Sequence, residues 1–120
     1  MRSALNRVLL SAAAAAVISL GATYTPPVEA GAVEDGKKVA FDRKKGNCLA
    51  CHMMGDGSLP GNIGPPLIAM KARFPDKAKL RAQIWDSTVK NPNSLMPPFG
   101  KHGILSDKEI DLIVEYVHTL

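Results

Sequence analysis

Cys48-Leu49-Ala50-Cys51-His52 places both cysteines of this 120-residue chain three positions apart, with a histidine directly after the second. This is the attachment signature of a c-type haem. Two thiols at that spacing can add to the two vinyl groups on one porphyrin edge. The adjacent imidazole then lies under the iron and supplies its proximal nitrogen. Other readings of the motif fare less well. Zinc needs two further ligands, and only His102 and His118 remain, sixteen positions apart, which fits no common finger spacing. A thioredoxin-like redox pair needs a βαβ context, and no strand-rich stretch precedes Cys48. A disulfide between the two is the plainest alternative in an exported protein. Two cysteines are in any case too few to staple a miniprotein.

The chain opens with an address. Arg2 and Arg7 are followed by Val8 to Leu20, a thirteen-residue run whose only polar members are Ser11 and Ser19. A membrane-spanning helix needs about 20 apolar residues, so this run is short for a span. Val28-Glu29-Ala30 offers small residues where a signal peptidase reads them. Residues 1–30 are therefore predicted to be a cleaved secretory signal, with cleavage after Ala30 and no stable membrane insertion afterwards. The arginines are not adjacent, which argues against a twin-arginine route. The remaining domain, residues 31–120, has 90 residues (120 − 30) and a formal charge of +3 (13 − 10). With 46% hydrophobic and 22% charged residues, the chain is neither a disordered tail nor a polytopic membrane protein. Its cations are spread along the sequence, so nucleic-acid binding is not implied. So small a domain needs a stabiliser beyond its own side chains, and a macrocycle would supply its core.

A second axial ligand is sought among Met53, Met54, Met70, Met96, His102 and His118. Met53 and Met54 follow the proximal histidine and stay on its side of the ring. Met70 has apolar neighbours and reads as core, and His118 as a solvated residue in the last turn of a helix. Met96 stands in Asn91-Pro92-Asn93-Ser94-Leu95-Met96-Pro97-Pro98-Phe99-Gly100, where prolines stiffen the chain and limit the cost of ordering it. It is the favoured sulfur ligand, with His102 its rival. The ring N–H of His52 also needs an acceptor. A proline carbonyl in Gly61-Asn62-Ile63-Gly64-Pro65-Pro66-Leu67, namely that of Pro65, is the candidate, against the simpler reading of a surface turn.

The expected scaffold is all-α, with three main helices. The first covers Val33 to about Asp42 and is stopped by Gly46. The second starts after Asp76, a good N-cap, and ends at Asn91-Pro92. The third follows the capping box Ser106-Asp107-Lys108-Glu109 and repeats Ile110, Ile113, Val114 and Val117 at helical spacing. Gly36 allows the first and last helices to approach closely. Lys71, Arg73, Lys77, Lys79 and Arg81 form a basic cluster, read either as a solvated face or as a docking surface for an acidic redox partner.

These residues carry a family likeness. Helices flanking C-x-x-C-H, a Gly-Pro-x-Leu turn and a late Met-Pro loop resemble class I cytochrome c. More narrowly, Gly46–His52, Gly61–Leu67, Met70–Asp76 with Leu80–Asp86, and Met96–Leu105 resemble the SoxX family. SoxX is the small haem subunit of the SoxAX complex of bacterial sulfur oxidation. The resemblance implies a cytochrome c fold around one covalently bound haem c. It also implies a periplasmic heterodimer with a SoxA-like haem subunit. That complex oxidatively couples thiosulfate to a cysteine of a SoxYZ-like carrier and passes electrons to a downstream acceptor. Carried onto this chain, Cys48 and Cys51 are the thioether anchors, His52 the proximal and Met96 the distal ligand. In the family the sulfur chemistry belongs to SoxA, so this chain is expected to be the non-catalytic electron-transfer subunit of an L-cysteine S-thiosulfotransferase complex. An autonomous periplasmic carrier is the alternative. A ligand-exchanging enzyme or gas sensor is a third reading, disfavoured when both axial sites are filled.

Overall fold

The computed structural model describes residues 28–120. Most of the expected signal therefore lies outside the described residues, and Ala30 falls in the first turn of a helix. Four helices follow one another: α1 (Val28–Phe41), α2 (Met70–Arg73), α3 (Lys77–Trp85) and α4 (Asp107–Val117). Short 3-10 turns stand at Cys48–Ala50 and Ser87–Val89. Among the described residues, extended pairing is limited to one bridge between Met54 and Leu67. The all-helical expectation holds, with α2 as an unforeseen addition. No helix among the described residues is long and apolar enough to cross a membrane.

Each boundary has a local cause. Helix α1 already includes Val28, the first described residue, five positions before the expected Val33. It ends in a turn in which Gly46 N donates to Val39 O at 3.2 Å. A Cβ on Gly46 would lie 2.8 Å from that same oxygen. Asp76 caps α3, its carboxylate accepting from Ala78 N at 2.8 Å. This helix stops at Trp85 rather than at Asn91. The Asp86 carboxylate captures Thr88 N at 3.0 Å and the Thr88 hydroxyl, and so offers the chain a 3-10 turn in place of further helix. The capping box of α4 forms as expected: Glu109 N donates to Ser106 Oγ at 3.3 Å and Ser106 N donates to the Glu109 carboxylate at 3.0 Å.

Helices α1 and α4 cross at Gly36, where the chain gains room that any side chain would remove. A Cβ there would lie 2.6 Å from the Leu112 carbonyl carbon and 3.0 Å from Tyr116 Cβ. Around the crossing Ala40, Ile110, Ile113, Val114 and Val117 are buried. Each large aliphatic side chain withdrawn in this way contributes about 1.5–3 kcal/mol. Phe41 and Tyr116 meet edge to face with centroids 5.9 Å apart. Lys45, in the turn after α1, reaches Glu109 of α4 at 2.5 Å. That ammonium, with the Ser106 cap, holds the Glu109 carboxyl down at about 2.

Helices α3 and α4 are laced by charge. Asp107, Asp111 and Glu115 recur every four residues along α4 and meet Arg81 and Lys77 of α3. Arg81 bonds Asp111 at 2.6 Å and Asp107 at 2.5 Å, and Lys77 reaches Glu115 at 2.6 Å. Lys77 and Arg81 of the basic cluster are thus paired with carboxylates of the domain itself. His118 differs from expectation. It is half-buried, and its Nε2 lies 3.1 Å from Phe74 O, because the end of α4 packs on the segment after α2. Met70 N donates to Leu120 O at 2.7 Å in the same contact.

Candidate haem-binding site

The Cys48–His52 segment is a tight turn. Asn47, in a left-handed conformation at φ 47°, delivers the chain into it. His52 N donates to Cys48 O at 2.9 Å, and Cys51 N to the same oxygen at 3.2 Å. Residues after the turn fold back on it: Gly61 N donates to Leu49 O and Gly64 N to Cys51 O, both at 2.8 Å. The return places Pro65 O 2.7 Å from His52 Nδ1. A carbonyl can only accept, so Nδ1 carries a proton, and the tautomer this selects has its lone pair on Nε2. Gly64 makes room for the ring. A Cβ there would sit 2.6 Å from Nδ1 and 2.9 Å from Nε2.

Cys48, Cys51, His52, Pro65 and Met96 all line one cavity of about 820 Å³. That volume lies within the range of cofactor sites. Helices α2, α3 and α4 add apolar wall, with Met70, Leu80, Ile84, Ile113 and Val117 each buried, and loop residues around Lys44 and Asn93 complete the rim. The two cysteines are free thiols. Burial pushes the Cys48 thiol up to about 11, so it stays protonated at neutral pH. The wall therefore suits haem c. It combines two thiols, an imidazole held in one tautomer, a thioether and a largely apolar lining.

The other candidate ligands are placed elsewhere or put to other uses. Met54 is 1% exposed in the core, and Met53 is 50% exposed. Met70 lines the cavity as a core side chain, and Arg73 approaches its sulfur at 3.4 Å. His102 is exposed and is not part of the cavity wall. Two residues in the site's surroundings have roles that the sequence reading did not assign. Gly64, read there only as part of the Gly-Pro-x-Leu turn, cradles the imidazole, and Ser87 donates from its hydroxyl to Met96 O at 2.8 Å.

An all-helical fold closed by an α1/α4 crossing, with a C-x-x-C-H turn on a largely apolar cavity, defines a cytochrome c domain of class I. The chain belongs to the family described as cytochrome c oxidase, cbb3-type, subunit III, whose model matches residues 31–117. Its structure is similar to the crystal structure of SoxXA from P. pantotrophus, with a TM-score of 0.65 and 27% identity over 72% of this chain and 80% of that one. It is a SoxX-like cytochrome. It is also 42% identical over 77 residues to an uncharacterized lipoprotein of Aquifex aeolicus (strain VF5). That match covers 62% of this chain and 37% of the relative, so the chain spans little more than a third of that protein's length. The family implies haem c and electron transfer, and the sequence holds one C-x-x-C-H motif, enough for one haem.

Proposed function

We propose that this chain is the electron-transfer subunit of a SoxAX-type complex, which oxidatively couples thiosulfate to a cysteine of a carrier protein. Cys48 and Cys51 anchor the haem, His52 is the proximal ligand and Met96 the distal one. The observation that carries the reading is that His52 and Met96 line the same cavity in a domain similar to SoxXA over 72% of its length. Haem iron supplies a reversible one-electron couple. The chain's own residues set the terms of that couple. Pro65 O holds the His52 proton on Nδ1 and so aims Nε2 as a donor. With His52 and Met96 both holding the iron, no position would be left for substrate, which suits electron transfer and leaves sulfur chemistry to a partner. Both cysteines are taken up by the anchor, so neither is free to accept sulfur. The partner is a SoxA-like haem subunit, with a SoxYZ-like carrier and a downstream acceptor beyond it. Export through residues 1–30 places the complex in the periplasm.

The test has two arms. In a host with working cytochrome c maturation, the intact mass of the exported protein should exceed that of its amino acids by one haem. Met96→Ala should abolish the sulfur-to-iron absorption band; an unchanged band removes Met96 from the site. Purification from the native periplasm should recover a second haem subunit. The second reading is an autonomous periplasmic carrier with no permanent partner. Stable recovery as a monomer would favour it.

A further inference from the structure

We propose that Ser87 is a positioning residue for Met96: its hydroxyl fixes the ligand's main chain and so keeps the thioether at the iron. The inference rests on Met96 being the distal ligand. Met96 is followed by Pro97 and Pro98, which have no N–H. The segment therefore has few main-chain donors with which to build a turn of its own, and it must be held through its carbonyls. Ser87 Oγ donates to Met96 O at 2.8 Å, and Ser87 is 0% exposed. A buried hydroxyl and carbonyl paired in this way are expensive to separate. The other polar contact of the Met96 main chain is local, from its N–H to Ser94 Oγ at 3.2 Å. That bond spans two residues and would travel with a loosened loop, whereas Ser87 ties the residue to the scaffold.

Ser87 is itself well placed to do this. It opens the 3-10 turn that the Asp86 carboxylate caps. The same carboxylate takes Lys101 Nζ at 2.9 Å, and Trp85 O accepts from Gly100 N at 3.1 Å and Lys101 N at 3.2 Å. A Cβ on Gly100 would lie 2.6 Å from Trp85 Cζ3, so the loop lies flat on the indole. Three consecutive residues, Trp85, Asp86 and Ser87, thus grip the Met96 loop at its centre and at its far end. Trp85 and Asp86 hold the returning strand, and Ser87 holds the ligand residue.

The test is competition at the ferric iron of the haem-loaded protein by imidazole. Ser87→Ala should raise apparent imidazole affinity about tenfold, which corresponds to about 1.4 kcal/mol. Ser87→Thr, which keeps the donor, should stay within about twofold of wild type. Ile110→Val serves as control, because it lowers stability from the α1/α4 core without lining the cavity. Unchanged affinity in Ser87→Ala overturns the proposal. So does an equal rise in Ile110→Val at matched loss of stability. Should Ser87→Ala give no folded holoprotein, Ser87→Gly takes its place under the same criteria. A sulfur-to-iron band missing from wild type, or surviving in Met96→Ala, overturns the ligand assignment instead. A band lost in Met96→Ala beside an unmoved Ser87 variant overturns only the role of Ser87.

Discussion

Replacing Gly64 with alanine adds one carbon and aims it at the imidazole of His52. That carbon would sit 2.6 Å from Nδ1, where ordinary contact begins near 3.4 Å, so the ring must retreat by 0.8 Å (3.4 − 2.6). The backbone has little freedom to yield, because Gly64 N is bonded to Cys51 O at 2.8 Å. A retreat of that size stretches the 2.7 Å contact between Nδ1 and Pro65 O beyond hydrogen-bonding range. Losing the bond costs about 0.5–1.5 kcal/mol. Overpacking adds about 1–3 kcal/mol, for an expected loss of roughly 1.5–4.5 kcal/mol. Guanidinium unfolding of the haem-loaded variant measures that loss. The reduction potential gives a second readout. An imidazole deprived of its acceptor is a weaker donor, and ferric iron loses more than ferrous. The potential should therefore rise, by about 59 mV for each tenfold difference between the two states. A variant within about 0.5 kcal/mol of wild type and unmoved in potential would refute the cradle argument.

Gly36→Ala should destabilise by about 1–3 kcal/mol despite the better helix propensity of alanine, because the α1/α4 backbones leave no space; thermal unfolding reads the sign. Glu109 is held at about 2 in the fold against an ordinary value of 4.5, so its contribution is complete above 4.5 and is lost as pH falls towards 2. The melting-temperature gap between wild type and Glu109→Gln should therefore be largest at pH 6 and shrink on acidification; a gap that widens contradicts the assignment.

What could be read from the sequence was local. Ser106 and Glu109 stand three residues apart and Asp76 directly precedes its helix, so both caps are visible in the order of residues. The turn at Cys48–His52 is equally compact. The early end of α3 was also written locally, in Asp86-Ser87-Thr88, but there a side-chain turn competes with an apolar helical pattern and wins. Helix α2 had no such mark. It starts at Ala69 in a left-handed conformation with φ 52° and no side-chain cap. The bond from His118 to Phe74 spans 44 residues, and the fit of Gly64 to His52 depends on how a loop returns in space. No spacing rule reaches contacts of that kind. The lacing of α3 to α4 lies between these cases. Lys77 and Arg81 are four apart, as are Asp107, Asp111 and Glu115, yet the pairing appears only when the two lists are set side by side.

Where Gly36 meets Leu112, the polypeptide closes on itself into a ring of 77 residues (112 − 36 + 1). Widening such a ring is thermodynamically cheap: ten additional residues raise its closure entropy by only about 0.1 kcal/mol. A single methyl group at the clasp costs at least ten times as much. This architecture can therefore lengthen or redecorate its loops far more easily than it can change one hydrogen atom at its fastening.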